Sequence, residues 1–133
     1  MAIEGAMTDK ERHIHYAKID TEHDLLHKVL TEVSETIYTA AIPTNELVAS
    51  LERLIEKISD HFRREETIME ELNYPALTQH QHQHETLERG FREILREIKA
   101  GDCIDSTKAL YKIFEDRLDK HTTHSDTHFI HKH

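Results

Sequence analysis

An all-α, up-down-up-down antiparallel four-helix bundle is the fold this sequence predicts, and three observations lead there. Glycine and proline are scarce, three and two in 133 residues, while Glu, Lys and Leu are plentiful, so long helices meet few interruptions. The interruptions that do occur divide the chain into four stretches of helical length. Within each stretch, apolar residues recur at alternating steps of four and three, the spacing of one helix face. Short links between long helices make sequence neighbours antiparallel.

The elements follow in order. Residues 1–13 are taken as an N-terminal extension. It has neither the basic start nor the apolar run of a signal peptide, and Ala2 to Ala6 look like a cloning remnant ahead of Met7. The bundle domain is assigned to 14–133. The first helix is expected from about Asp20 to Ala41, ahead of Pro43, with Ile19, Leu26, Leu30, Val33 and Ile37 on its inner face. The second is expected from Thr44, a good N-cap, to about Leu72, with Leu47, Leu51, Leu54, Ile58, Ile68 and Leu72 facing inward. Asn73-Tyr74-Pro75 breaks it. The third runs from about Ala76 to Ala100 and stops at Gly101; Leu77, Leu87, Phe91, Ile94 and Ile98 form its stripe. The fourth is expected after Asp105, as N-cap, to about Asp126, with Tyr111, Phe114 and Leu118 inward.

Composition narrows the function. Seventeen basic residues against 26 acidic ones give a formal charge of −9, which argues against nucleic acid or an anionic membrane as partner. No apolar run approaches the roughly 18 residues of a membrane span. The single cysteine, Cys103, rules out an internal disulfide framework and fits a reducing cytoplasm.

Histidine is the exception in an otherwise ordinary composition: there are 13. Each apolar stripe is interrupted by it. His23 fills the gap between Ile19 and Leu26; His61 and Glu65 lie between Ile58 and Ile68; His80 and His84 lie between Leu77 and Leu87; His121 follows Leu118. One histidine on a core face is an ordinary hydrogen-bonded residue. Five on four facing helices, with a carboxylate among them, are hard to satisfy without a cation. His61-x-x-x-Glu65 and His80-x-x-x-His84 each project two side chains from one helix face. His121 and Asp126 are five apart, so Asp126 must reach the site from the side, which suits a carboxylate bridging two ions. Five imidazoles and two carboxylates are too many donors for one ion and about right for two. Such a set suits Fe, and equally Zn, Cu or Ni.

With these residues in place the chain resembles the hemerythrin family over nearly the whole domain, from about Ile14 to Asp126. Ile19-Asp20-Thr21-Glu22-His23 is similar to the family's first-helix motif. His61 to Glu65, with Glu66 and Met69, resembles its HxxxE segment. Tyr74-Pro75-Ala76-Leu77 leading to His80 and His84 resembles its YP turn and HxxxH, and His121 to Asp126 its HxxxxD ending. The resemblance implies two non-haem iron ions per chain that bind O2 reversibly. His80, His84 and His121 would hold one iron, and His23 and His61 the second. Glu65 and Asp126 would bridge the pair beside an oxo or hydroxo ligand. O2 would bind at the open position of the second iron.

Leu118, Thr122 and His27 are the candidate residues of the O2 pocket. Leu118 keeps it apolar. Thr122 stands where the family commonly has a bulky aliphatic residue, and His27 where an aromatic or aliphatic one is usual. Two accounts stay open for these departures: local packing and edge capping, or a pocket polarised enough to hasten oxidation of the irons. His82 must point away from His80 and His84. His124, His128 and His131 repeat at helical spacing and suit adventitious metal only. His13 and His15 have no assignable role. Cys103 lies beside Asp102, whose charge disfavours a thiolate. Arg63 and Arg64 are expected to face solvent and pair locally with Glu66 or Glu70.

The expected function is therefore O2 binding, as carrier, store or sensor, and not catalysis. The chain could also be the sensory part of a longer signalling protein with an effector domain C-terminal to it. Two further classes stay open: a di-iron redox enzyme acting on peroxide or nitric oxide, and an iron- or metal-handling protein. Monomer and homodimer are both compatible with the sequence.

Overall fold

The computed structural model describes residues 9–40, 44–101 and 104–121, except for the side chains of residues 9, 11–16, 19 and 20. Four helices follow one another: α1 (Asp9–Thr39), α2 (Asn45–Glu71), α3 (Leu77–Ala100) and α4 (Ile104–Lys120). Consecutive helices pack against each other and α4 returns to α1, so the predicted four-helix bundle is the observed one.

The helix ends obey the local chemistry of their residues. Thr44 caps α2, its Oγ1 accepting from the Leu47 N–H at 3.1 Å. At the other end Asn73 takes the left-handed conformation (φ 52°), which Asn tolerates better than most residues. The Asn73 N–H then donates to the Glu70 carbonyl (3.1 Å) and the Tyr74 N–H to that of Met69 (2.9 Å). These two bonds close the last turn of α2, and Tyr74 packs on buried Met69 beneath it. Gly101 ends α3 at φ 76°, where a side chain would be strained.

Two boundaries differ from expectation. The first helix begins at Asp9, eleven residues before Asp20, because nothing between Asp9 and Pro43 breaks a helix: the stretch has no Gly or Pro. His13 and His15 thus belong to α1. The fourth helix begins at Ile104, so Asp105 sits within the first turn rather than capping it; there its charge still favours the helix dipole.

The apolar stripes meet in one core. Leu26, Leu30, Val33 and Ile37 of α1 pack with Leu47, Leu51, Leu54 and Ile58 of α2, Leu87, Phe91, Ile94 and Ile98 of α3, and Tyr111 and Leu118 of α4. Each such side chain contributes about 1.5–3 kcal/mol by leaving water. Phe114, Leu72 and Leu77 are only half-buried. Ile55, Phe62 and Met69 are buried beside the expected stripe, because a helix in a globular bundle buries a face wider than a two-position seam. No helix among the described residues is long and apolar enough to cross a membrane.

Candidate metal centre

The register of the helices gathers the interrupting residues toward the end of the bundle that carries the α2–α3 turn. His61 and Glu65 lie in the last turns of α2, His80 and His84 in the first turns of α3, and His121 directly follows α4. His23, deeper in α1, meets them there. All six are buried, at 8% exposure for His23 and 0% for Glu65 at the extremes.

They form two triads. His80, His84 and His121 make one, and His23, His61 and Glu65 the other; within each, one nitrogen or oxygen atom per residue lies within 4.8 Å of the others. In the first triad the ring centroids are 4.6 Å apart for His80–His84, 4.6 Å for His80–His121 and 4.8 Å for His84–His121. In the second, the His23 and His61 rings are 4.5 Å apart, and His61 Nε2 is 2.8 Å from Glu65 Oε1. Each triad comes from one pair of consecutive helices, α3 with α4 and α1 with α2.

Phe62 occupies the space among these rings. It is fully buried, stacks flat on His84 (3.8 Å, 3°) and meets His121 edge-on at 5.5 Å, with His61 at 6.1 Å. An aromatic wall of this kind keeps the neighbourhood of the donors dry.

Charged groups lie just outside. Glu66 Oε2 is 2.6 Å from Nδ1 of His84. Glu22 Oε1 lies 4.0 Å from Nδ1 of His61 and is held at 2.8 Å by Nε of Arg64. Arg64 therefore joins α2 to α1 instead of pairing locally, because a residue so close to the seam reaches Glu22 across it. Arg63 is exposed near Asp60 at 4.0 Å. Neither Glu22, Glu66, Arg64 nor Phe62 was singled out from the stripes. All four lie inside the motif segments that resemble the family, Glu22 before His23, Phe62 after His61, and Arg64 and Glu66 flanking Glu65, but the segments alone assign them no contact.

The other candidates sit in the core beside the triads, at the bundle edge, or outside the description. Leu118 is buried in the core one turn before His121. His27 sits at the wet edge between α1 and α4, its Nδ1 3.9 Å from Asp119 Oδ1, both side chains well exposed. It lines a groove with Leu30, Ser34, Tyr38 and Glu115. His82 points outward near Glu85. Thr122, Asp126, Cys103, His124, His128 and His131 fall outside the described residues.

The donor chemistry fits a pair of bound cations. Five imidazoles and one carboxylate, buried and convergent in two sets of three, match borderline metals such as iron or zinc and not the all-oxygen sites of Ca2+ or Mg2+. Fold and site together define a cation-binding four-helix bundle. The family model for the hemerythrin HHE cation binding domain matches residues 12–132, and the chain belongs to the hemerythrin family. It is similar to proteins named bacteriohemerythrin from three Campylobacter jejuni subsp. jejuni strains, of serotypes O:23/36, O:6 and O:2. Each is 30% identical over 119 residues, covering 84% of this chain and 88% of the relative. No solved structure matches the chain.

Proposed function

We propose that this protein is a non-haem di-iron, O2-binding protein of the cytoplasm, acting as carrier, store or sensor rather than as an enzyme. The observation that carries the reading is the pair of buried triads, one per helical hairpin, with the Phe62 ring packed against His84 and His121. The residues of each triad have separate tasks. His80, His84 and His121 would hold one iron through three nitrogens. His23 and His61 would hold the second, with Glu65 and Asp126 as the carboxylate donors to the pair. Phe62 and Leu118 keep water from the site. When bound, the iron pair supplies the two electrons that reversible O2 binding takes. The chain's own part is to fix the donors where they are buried from water, so that this exchange is not followed by leakage to solvent.

The test is the visible spectrum of the protein with iron counted per chain, first reduced without oxygen and then exposed to air. The reading expects about two irons, a colourless reduced form, and a new charge-transfer band that vanishes when oxygen is removed. No iron, or iron with no oxygen-dependent band, would overturn it. A band that decays at once into turnover with peroxide or nitric oxide would make the protein a redox enzyme.

A further inference from the structure

We infer that Glu66 is a positioning residue for the three-histidine triad, acting on the metal through His84. The inference rests on the metal-pair reading and names a role in it for a side chain outside the ligand set. Glu66 Oε2 lies 2.6 Å from Nδ1 of His84. That contact settles which ring nitrogen does what. The Nδ1–H donates to the carboxylate, so the lone pair is on Nε2, and Nε2 is the atom left to face His80 and His121. The ring plane is fixed separately, by the flat stack of Phe62 against it. Phe62 and Glu66 are on the same helix, four residues apart, and so address the same ring from one helix face. Together they leave His84 no second orientation.

The carboxylate also makes His84 a stronger donor. A charge on the outer nitrogen pushes electron density toward the inner one, and in metal sites at large such partners are worth about 10- to 100-fold in affinity. The neighbouring residue sharpens the assignment. Glu65 belongs to the His23 triad and Glu66 serves the His84 triad. Adjacent carboxylates on α2 thus take different roles, Glu65 as a donor and Glu66 as the outer partner of His84.

The experiment uses the full chain loaded with cobalt(II), whose absorption reports each site, and a competing chelator to measure release. Glu66→Ala is expected to weaken one of the two cobalt ions by about 10- to 100-fold and to leave the other near its parent affinity. Glu66→Gln, which keeps an acceptor but loses the charge, should fall between. Nitrogen NMR of the metal-free protein should show His84 as the Nδ1–H tautomer in the parent and a mixture in Glu66→Ala. Glu70→Ala, one exposed turn further on, should change neither. Parent-like affinity in both Glu66 variants, or an equal loss at both ions, overturns the inference. If Glu66→Ala does not fold, Glu66→Gln decides alone: an unchanged affinity at both sites overturns it. A parent protein that takes up no cobalt would overturn the metal reading itself, a result distinct from failure of Glu66.

Discussion

Gly90 lets α3 and α4 come together. A Cβ built on it would collide with the Phe114 ring, which lies on that spot while the Arg117 guanidinium stacks over it at 5.2 Å. Gly90→Ala is therefore expected to cost about 1–3 kcal/mol by overpacking, read from urea denaturation. Gly90→Ala with Phe114→Leu should recover part of the loss, since the atoms nearest the added Cβ are those of the ring. Such pairings show what single residues in a sequence leave unsaid. The triad members His23, His61, Glu65, His80, His84 and His121 could be picked out because each breaks an apolar stripe, and stripe position is periodic information. Gly90 and Glu66 carry no such mark. What Gly90 faces depends on how α4 is rotated against α3. Whether Glu66 points to solvent or to His84 depends on the angle at which α3 crosses α2, and periodicity along one helix does not contain either angle.

At the scale of the element, the seam between α1 and α4 is pinned by a network of hydroxyls and a carboxylate. Tyr111 is fully buried, with its hydroxyl 3.0 Å from Ser34 Oγ and 3.3 Å from the Leu30 carbonyl. The Ser34 hydroxyl donates to Glu115, which also accepts from the Tyr38 hydroxyl at 3.0 Å. Burial, then the Glu115 hydrogen bond, pushes Tyr38 up to about 12; burial pushes Tyr111 higher still. Both groups are acids whose pKa rises on folding. Below the ordinary tyrosine value of about 10 both states keep the proton and stability is independent of it. Above that, the unfolded chain loses protons first, so stability falls as pH climbs from about 10 toward 12 and beyond. Denaturation across that range, with ultraviolet absorbance following ionisation, should show this fall. Glu115→Gln should bring the Tyr38 ionisation back toward its ordinary value. The seam was half legible: Tyr111 sits on the stripe, but Ser34, Tyr38 and Glu115, the network beside it, look like surface residues until α1 and α4 are laid side by side. The ends of the helices were legible where a residue marks them, as at Thr44, Asn73 and Gly101, and not at Asp9, where only the absence of a breaker speaks.

Across the whole molecule, cations held at the two triads would tie down residues from both helical hairpins. Because the folded chain would bind the metal and the unfolded chain would lack a preformed site, occupancy adds to stability by mass action, about 4 kcal/mol at a thousandfold excess of free metal over its dissociation constant. Stripping the loaded protein with a chelator should therefore lower its melting temperature, and returning the metal should restore it, as thermal unfolding followed by circular dichroism will show. The division of the site between hairpins has a consequence for the chain's connectivity as well. All three members of the His23 triad lie within residues 23–65, and all three of the other within 80–121. A cation at either triad would therefore cross-link one hairpin to itself, closing a short loop of chain rather than joining distant parts of the sequence.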